Sequence, residues 1–329
     1  METKRGRILN TLFYPIAMAI LYVILDIVLR MSKGGGLIGT PELLTWKMFS
    51  TLIIQAVPNM YIAWGLVFIF SAGPDFSAAA ILAMAATAAA ILAQQFGLGY
   101  FGLFVGGIGL FIILQLISTW VRLKFQLTAW VCGFAMMIFY EGVGNFYTSY
   151  RSSISRPIET LSADVCRDLP KMPWPIILVI VGILASYLIL NKTTLGIEFR
   201  AVGSNPQVAG YMGIKAKKVA YLATVVGACF LGVAACYNIS WSARINLTTG
   251  MGSMASIGKG LSTFLVSQAI SRKLSSPFAI ALAAFFLAVF FFTLTRLGVP
   301  SGTWQEFILG IFIVVFGAMA FAGNKEVVK

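Results

Sequence analysis

Long apolar runs are the feature that most constrains the fold of this chain. Hydrophobic residues make up 59% of its 329 residues and charged residues only 11%. In a soluble domain about 45–50% of the residues are hydrophobic and about 25% are charged. Inside a bilayer the backbone must satisfy its own hydrogen bonds, and helices do so. The sequence therefore predicts an all-α, polytopic membrane protein with about ten transmembrane helices, each long enough to cross roughly 30 Å of hydrocarbon. They lie near 11–30, 48–71, 78–96, 100–121, 126–147, 174–191, 218–239, 253–271, 277–297 and 303–322.

Basic residues favour one orientation in the membrane. With the N-terminus in the cytoplasm, 14 of the 24 lysines and arginines fall in cytoplasmic segments and 10 in external ones, four of these in the loop 148–173. Cytoplasmic loops of membrane proteins carry the excess of basic residues. We therefore expect both termini in the cytoplasm and a single transmembrane domain over residues 1–329. The external loop 148–173 is either a solvated connector or a docking rim for an external protein.

Residues that carry catalytic chemistry are scarce. The chain has no histidine, which is the usual near-neutral acid–base group and metal ligand. Its four cysteines show neither a disulfide framework nor zinc-site spacing. The glycines near 252–260 have the wrong spacing for a phosphate-binding loop. We expect no metal, no cofactor and no catalytic residue, and we attribute the net charge of +13 to membrane orientation rather than nucleic-acid binding.

A polar segment, 198–217, separates the sixth and seventh apolar runs and predicts one short helix. Ser204 or Asn205 can be its N-cap, because a side-chain oxygen there can accept a hydrogen bond from the first turn. Pro206 suits the first helical position and Gly213 the position just past the end. A helix of about two turns is marginal alone in water. The rest of the chain or a partner must therefore hold it.

A second interruption separates the second and third runs. Gly73 and Pro74 break a helix, and Asp75 or Ser77 can cap the next one. A break at membrane depth is tolerated only where it is buried in protein or lines a cavity. Two interpretations stay open: a short cytoplasmic turn, or a discontinuity near a translocation path.

Polar side chains within the apolar runs form two pairs with i, i+4 spacing, which places each pair on one helix face. They can bond one helix to another or line a wet path. Aromatic faces and amides would suit a sugar, because hydroxyl groups need both donors and acceptors. The candidate path residues are Gln55, Asn59, Tyr61, Asp75, Glu141 and Asn145.

The segment Thr194–Pro206, with Gly213 beyond it, resembles the coupling segment of bacterial ABC-importer permeases of the ribose/simple-sugar family, which also covers branched-chain amino acid and nucleoside permeases. Gly73, Asp75 and Ser77 are similar to a Gly-Gly-Ile-Asp-Leu-Ser motif of that family. The resemblance extends over most of the chain, although a glycine pair that the family carries after the seventh span is absent.

The resemblance implies an ABC-importer permease fold in the bacterial cytoplasmic (inner) membrane, with a short cytoplasmic coupling helix. It implies three partners: an ABC ATPase subunit that hydrolyses the ATP, a second permease subunit in a homo- or heterodimer, and an external solute-binding protein. The implied coupling residues are Arg200, Gly203, Asn205, Pro206, Tyr211 and Gly213.

The sequence constrains the identity of the substrate less than it constrains the family. A monosaccharide is the leading interpretation, because the Asp75 motif and Trp304-Gln305 resemble those of sugar permeases. A nucleoside is the alternative within the same family. An ATP-independent secondary transporter is a further alternative, but it would need paired ionisable groups for ion coupling, and the chain offers few.

Overall fold

The computed structural model describes residues 19–20, 22–29, 31, 45–153, 161, 165–245, 247–271, 275–299 and 302–322. This part of the chain is helical and contains no β-strand. A π-helical turn, Ile91–Gln95, directly follows the helix Ala78–Ala90. The helices are α1 (Trp46–Ser71), α2 (Ala78–Ala90), α3 (Gly99–Lys124), α4 (Ala129–Ser153), α5 (Trp174–Lys192), α6 (Thr194–Ser204), α7 (Pro206–Tyr211), α8 (Ala216–Ser242), α9 (Met254–Ile270), α10 (Ser276–Arg296) and α11 (Thr303–Ala322).

The all-α membrane fold is confirmed, whereas the number of ten spans is not. Each predicted span from the second to the tenth coincides with a helix. Half of the first, 11–30, lies outside the described residues, and its described half, 19–20 and 22–29, is helical. Two coinciding helices fall short as spans, because α4 is not apolar enough and α9 has only 17 residues. In the described part of the chain, the helices long and apolar enough to cross a membrane are α1, α2 with its π-turn, α3, α5, α8 and α10, and 303–318 is a shorter apolar helix.

The described chain packs into two compact units. The smaller comprises Met1–Met60 and Lys259–Lys329, and the larger Tyr61–Gly258. The unit boundaries fall within α1 and α9. The prediction of a single transmembrane domain is not tested by this division.

Small residues allow close helix packing in the larger unit, whose centre is formed by α2, α3 and α8. A Cβ atom on Gly232 of α8 would lie 2.6 Å from the Cα atom of Ile108 in α3. Within lipid, small residues let helix backbones approach and gain van der Waals contact. A glycine also allows the fully buried Trp64 to pack closely on α5, because its ring covers the Cα of Gly182.

Phenylalanines fill the core of the smaller unit between α10 and α11. The rings of Phe290 and Phe312 have centroids 5.0 Å apart, and Leu287 and Leu309 are buried beside them. The ammonium group of Lys259 lies 5.2 Å from the centre of the Phe291 ring, which is within cation–π range.

We predict that Gly182→Ala destabilises the protein. The new Cβ would lie 2.2 Å from the Trp64 ring, and overpacking of this kind costs about 1–3 kcal/mol. Gly109→Ala in α3 is the matched control, because nothing lies within 4 Å of its Cβ position. Thermal unfolding in detergent should give a lower melting temperature for Gly182→Ala only. Equal melting temperatures for the two variants would contradict this packing.

Candidate functional site

The segment 198–217 contains the end of α6, the whole of α7 and the first two residues of α8, so the predicted short helix is present as α7 but a second helix precedes it. Residues from Thr194 to Ser204 make α6, an additional helix of 11 residues, before α7 begins at Pro206. Between them Asn205 has an extended backbone, with φ −157° and ψ 106°. The prediction treated the residues before Asn205 only as a flank and so missed α6.

The predicted capping of the second of these helices is confirmed, with Asn205 as the N-cap. Its Oδ1 atom accepts hydrogen bonds from the backbone N–H groups of Gln207 at 2.9 Å and Val208 at 3.2 Å. The hydroxyl of Ser204 instead donates to the carbonyl of Arg200 at 2.9 Å. Pro206 occupies the first helical position.

The end of α7 also follows the prediction. Gly213 has a φ of +81°, the left-handed conformation that glycine adopts without steric cost. Its N–H donates to the carbonyl of Gly210 at 3.0 Å, and the N–H of Ile214 donates to that of Ala209 at 3.0 Å. These two bonds define a Schellman motif, which fixes the direction in which the chain leaves α7.

Contacts within the larger unit hold α6 in place. Arg200 donates from Nη2 to the carbonyl of Leu190 at 2.9 Å, at the C-terminal end of α5, where a positive charge is favourable. Phe199 is buried and packs edge-to-face on Phe68, with ring centroids 5.8 Å apart. A Cβ on Gly203 would lie 3.2 Å from the carbonyl oxygen of Ser71. The segment is therefore anchored to the last turn of α1.

The other side of the segment is open and apolar. Tyr211 is 91% exposed, Met212 73% and Val208 52%. A groove of about 490 Å³ runs beside them, lined on one wall by Glu198 and on another by Lys218. Exposed apolar clusters of this kind mark interaction sites.

Asp75 lies at the centre of a buried polar network in the connection between α1 and α2. Its Oδ1 atom accepts from the N–H of Ser77 at 3.0 Å, and its Oδ2 atom accepts from Nε2 of Gln115 at 2.9 Å. Ser118 donates to the hydroxyl oxygen of Ser77 at 3.0 Å. A Cβ on Gly133 of α4 would lie 2.9 Å from Oδ1, so α4 closes over the carboxylate.

The side chains of Asp75 and Ser77 are buried in this connection, whereas Pro74 is exposed. Gln115 is about 13 Å from the C-terminal end of α3 at 1.5 Å per residue, and Asp75 and Ser77 are 2% and 0% exposed. Arg122, in the last turn of α3, donates from Nη1 to the carbonyl of Ala72 at 3.1 Å. A short cytoplasmic turn and a discontinuity beside a translocation path both remain predictions for this break.

The partners of Asp75 were missed by the sequence interpretation. They come from a polar stripe in the fourth apolar run, whose i, i+3, i+4, i+7 spacing is visible in the sequence and predicts one helix face. Two buried atoms in this stripe, Oε1 of Gln115 and Nε of Arg122, have no hydrogen-bond partner among the residues that the structure describes. The stripe consists of Gln115, Ser118, Thr119 and Arg122, all buried.

Gln55, Asn59 and Tyr61 lie along α1. Asn59 donates from Nδ2 to the carbonyl of Gln55 at 3.1 Å. Tyr61 donates to the carbonyl of Leu178 in α5 at 2.9 Å and stacks edge-to-face on Trp64, with ring centroids 5.3 Å apart. Tyr61 therefore bonds two helices together, whereas the structure gives Gln55 no side-chain partner among the described residues.

Glu141 and Asn145 attach α4 to the loop before α9. The Oε2 atom of Glu141 accepts a hydrogen bond from the N–H of Met251 at 2.8 Å. Its Oε1 atom accepts one from the N–H of Ser253 at 2.9 Å and another from the hydroxyl of Ser253 at 2.5 Å. Asn145 donates to the carbonyl of Thr248 at 2.7 Å. Glu141 is the midpoint of α4, so the loop before α9 is tied to the middle of that helix.

The predicted external loop 148–173 starts later than expected, because α4 continues to Ser153. Its described part, 161 and 165–173, packs on the ends of α3 and α8. Arg167 donates to the carbonyl of Trp241 at 3.2 Å, and Tyr100 donates to Asp168 at 3.0 Å. Hydrogen bonds from Lys171 and Tyr100 lower the pKa of Asp168 below its ordinary value.

The interrupted helices, the buried Asp75 network and the exposed α7 segment characterise a multi-pass transport protein. A sequence model of the family described as "Branched-chain amino acid transport system / permease component" matches residues 48–317. The chain belongs to this family. The resemblance to ABC-transporter permeases is thereby confirmed, and the chain is a multi-pass permease component of the cytoplasmic membrane.

One curated relative is informative about this permease. The nucleoside ABC transporter permease protein NupB of Lactococcus lactis subsp. cremoris (strain MG1363) is 40% identical over 58 residues, which cover 18% of this chain and 16% of the relative. The match thus spans less than a fifth of the relative's length. No solved structure matches the chain.

We predict that Glu141→Gln destabilises the permease. The amide group would turn an N–H donor toward a backbone N–H or the hydroxyl of Ser253, and a buried unsatisfied group costs about 1–3 kcal/mol. Glu306→Gln in α11 is the control, because that side chain is exposed. Limited proteolysis should cleave the 247–253 loop faster in Glu141→Gln, with wild-type cleavage in the control. Protection equal to that of the wild type in both variants would contradict the anchoring role of Glu141.

Proposed function

We propose that this permease is the membrane subunit of an ATP-driven ABC importer that carries a small polar solute into the cytoplasm. A monosaccharide is the leading candidate for this solute. The observation that carries the proposal is the α6–α7 segment. Its inner side is fixed to α1 and α5, while Val208, Tyr211 and Met212 are exposed. A rigid, outward-facing apolar helix suits contact with a separate ATPase subunit.

The partners follow from this arrangement. The ATPase subunit binds the exposed side of α7, and Arg200, Gly203, Asn205, Pro206, Tyr211 and Gly213 act as its coupling residues. A second permease subunit completes the path, and an external solute-binding protein delivers the solute. In the path, Gln55 offers an unpaired amide among the described residues, whereas Asn59, Tyr61, Asp75, Glu141 and Asn145 mainly hold its walls in position.

Two solute classes are supported by different observations. The Asp75 motif supports a monosaccharide, since it resembles that of sugar permeases. The match to NupB, named as a nucleoside permease, supports a nucleoside as the second candidate. Both carry a sugar ring with hydroxyl groups.

The proposal is tested by deleting the permease gene in its host and measuring uptake of radiolabelled D-ribose, adenosine and leucine. Loss of D-ribose uptake, restored by the wild-type gene and abolished by collapse of cellular ATP, is the expected result. Loss of adenosine uptake alone would support the nucleoside. Uptake that depends on the proton gradient and not on ATP, or no change for any solute, would overturn the proposal.

We predict that Lys217 faces the cytoplasm and Lys171 the exterior, as the distribution of basic residues indicates. Single cysteines at these positions, in a protein whose native cysteines are replaced by alanine, should differ in intact cells. A membrane-impermeant maleimide should label residue 171 and not residue 217, and both should react after permeabilisation. The reverse pattern in intact cells would invert the topology and remove α7 from the cytoplasm.

We predict that Gly213→Val uncouples the permease from its ATPase. A β-branched residue strongly resists the φ of +81° at this position, so the Schellman motif would open. Gly210→Ala in α7 is the matched control, because Gly210 lacks a positive φ and its Cβ position is open. Both variants should insert normally, but Gly213→Val should retain far less ATPase in affinity purification. Equal ATPase recovery and equal solute-stimulated ATP hydrolysis would exclude α7 as the transmission element.

A further inference from the structure

A second cavity lies in the larger unit, at the C-terminal end of α8. Its volume is about 340 Å³, near the lower end of the roughly 300–1,000 Å³ typical of small-molecule sites. The cavity reaches α2 on one side and the first turn of α9 on the other. Its lining consists of Leu82, Ala83, Asn238, Trp241, Ser242, Arg244, Ile245 and Ser256.

Three polar side chains of this lining have unused hydrogen-bonding capacity. Within the described chain, no hydrogen bond or ion pair involves the amide of Asn238, the indole N–H of Trp241 or the guanidinium of Arg244. Trp241 is 41% exposed, so part of its ring is also open. The amide both donates and accepts, the guanidinium offers five donors, and the indole offers one donor.

The mouth of the cavity is held in place from several directions. Ser240 donates to the carbonyl of Cys166, and Arg167 donates to the carbonyl of Trp241. The loop that leads from Arg244 to Ser256 is bound by Asn145 and Glu141. Anchored backbone of this kind limits the ordering cost of binding a ligand.

The chemistry of the lining discriminates between solute classes. Among the described residues, no aspartate or glutamate lines the cavity, so the ammonium group of an amino acid would find no carboxylate there, even where its own carboxylate pairs with Arg244. A sugar ring presents hydroxyl groups that donate and accept, together with an apolar C–H face. The amide and guanidinium match the hydroxyls, and the open indole ring provides an apolar surface.

We propose that this cavity is a solute-recognition subsite for a sugar ring, in which Asn238, Trp241 and Arg244 determine specificity. The inference rests on the proposed importer function and narrows its substrate to solutes that carry a pentose or hexose. It places recognition at the α8 end, away from the Asp75 network. The proposed specificity for a sugar ring also differs from the branched-chain amino acids named in the family description.

The first test measures binding without transport. Ser242→Cys is introduced into the detergent-purified permease whose four native cysteines are replaced by alanine, with Thr128→Cys as the control at an exposed position outside the cavity. Millimolar D-ribose or adenosine should slow maleimide labelling of residue 242 at least threefold, while leucine does not and residue 128 is unaffected. Protection by leucine alone, or no protection by any solute, would overturn the subsite.

The second test measures transport per assembled complex. Trp241→Ala and Asn238→Leu should lower D-ribose or adenosine uptake at least tenfold, with ATPase recovery and solute-independent ATP hydrolysis at the wild-type level. Trp174→Ala is the control, since Trp174 has a similar exposure of 49% and does not line the cavity. Normal uptake per complex in both cavity variants would overturn the subsite.

The two tests separate this inference from the proposed function. Protection of residue 242 by a sugar, in a wild-type protein that shows no ATP-dependent uptake, would leave the subsite standing and remove the importer assignment. ATP-dependent sugar uptake without protection, and with normal uptake in the cavity variants, would leave the importer standing and remove the subsite.

Discussion

Buried backbone groups at helix breaks are the constraint on which the rest of this structure depends. Within a membrane bundle an unsatisfied N–H or carbonyl group costs several kcal/mol. Asp75 accepts an N–H at the start of α2, and Glu141 accepts two ahead of α9. Arg122 donates to the carbonyl of Ala72 after α1, and Arg200 to that of Leu190 in α5. Each of these charged side chains thus hydrogen-bonds to the backbone near a helix break. At each break the chain changes direction at a defined place.

The consequence for α9 is the clearest. It has 17 residues, about 26 Å at 1.5 Å per residue, which falls short of roughly 30 Å of hydrocarbon. The N–H groups of Met251 and Ser253, just ahead of its first turn, bond to Glu141 at the midpoint of α4, so the loop that leads into α9 is tied to that helix. The cavity at the end of α8 is lined by residues on either side of this loop, Arg244 and Ser256.

Much of the fold could be predicted from the sequence because local rules decide it. The apolar runs predict the helices. The ends of α7 are determined by side-chain capping and backbone conformation alone, at Asn205, Pro206 and Gly213. The partners of Asp75 depend on tertiary packing: Gln115 follows it by 40 residues, and only the approach of α3 joins them. The same holds for Glu141, whose partners Met251 and Ser253 lie 110 and 112 residues away. The i, i+4 spacing of Glu141 and Asn145 indicated a shared face but not that this face binds a loop.

The packing of α6 shows how the exposed segment and the buried network are connected. Phe199 contacts Phe68 in the last turns of α1, and Gly203 lies against Ser71, the final residue of that helix. The next residue, Ala72, is bonded through its carbonyl to Arg122, and α3 carries both Arg122 and the Gln115 that binds Asp75. Close-packed interiors transmit displacement because they have little free volume to absorb it. We therefore expect that a movement of α7 imposed from outside would act on the α1–α2 connection through these contacts.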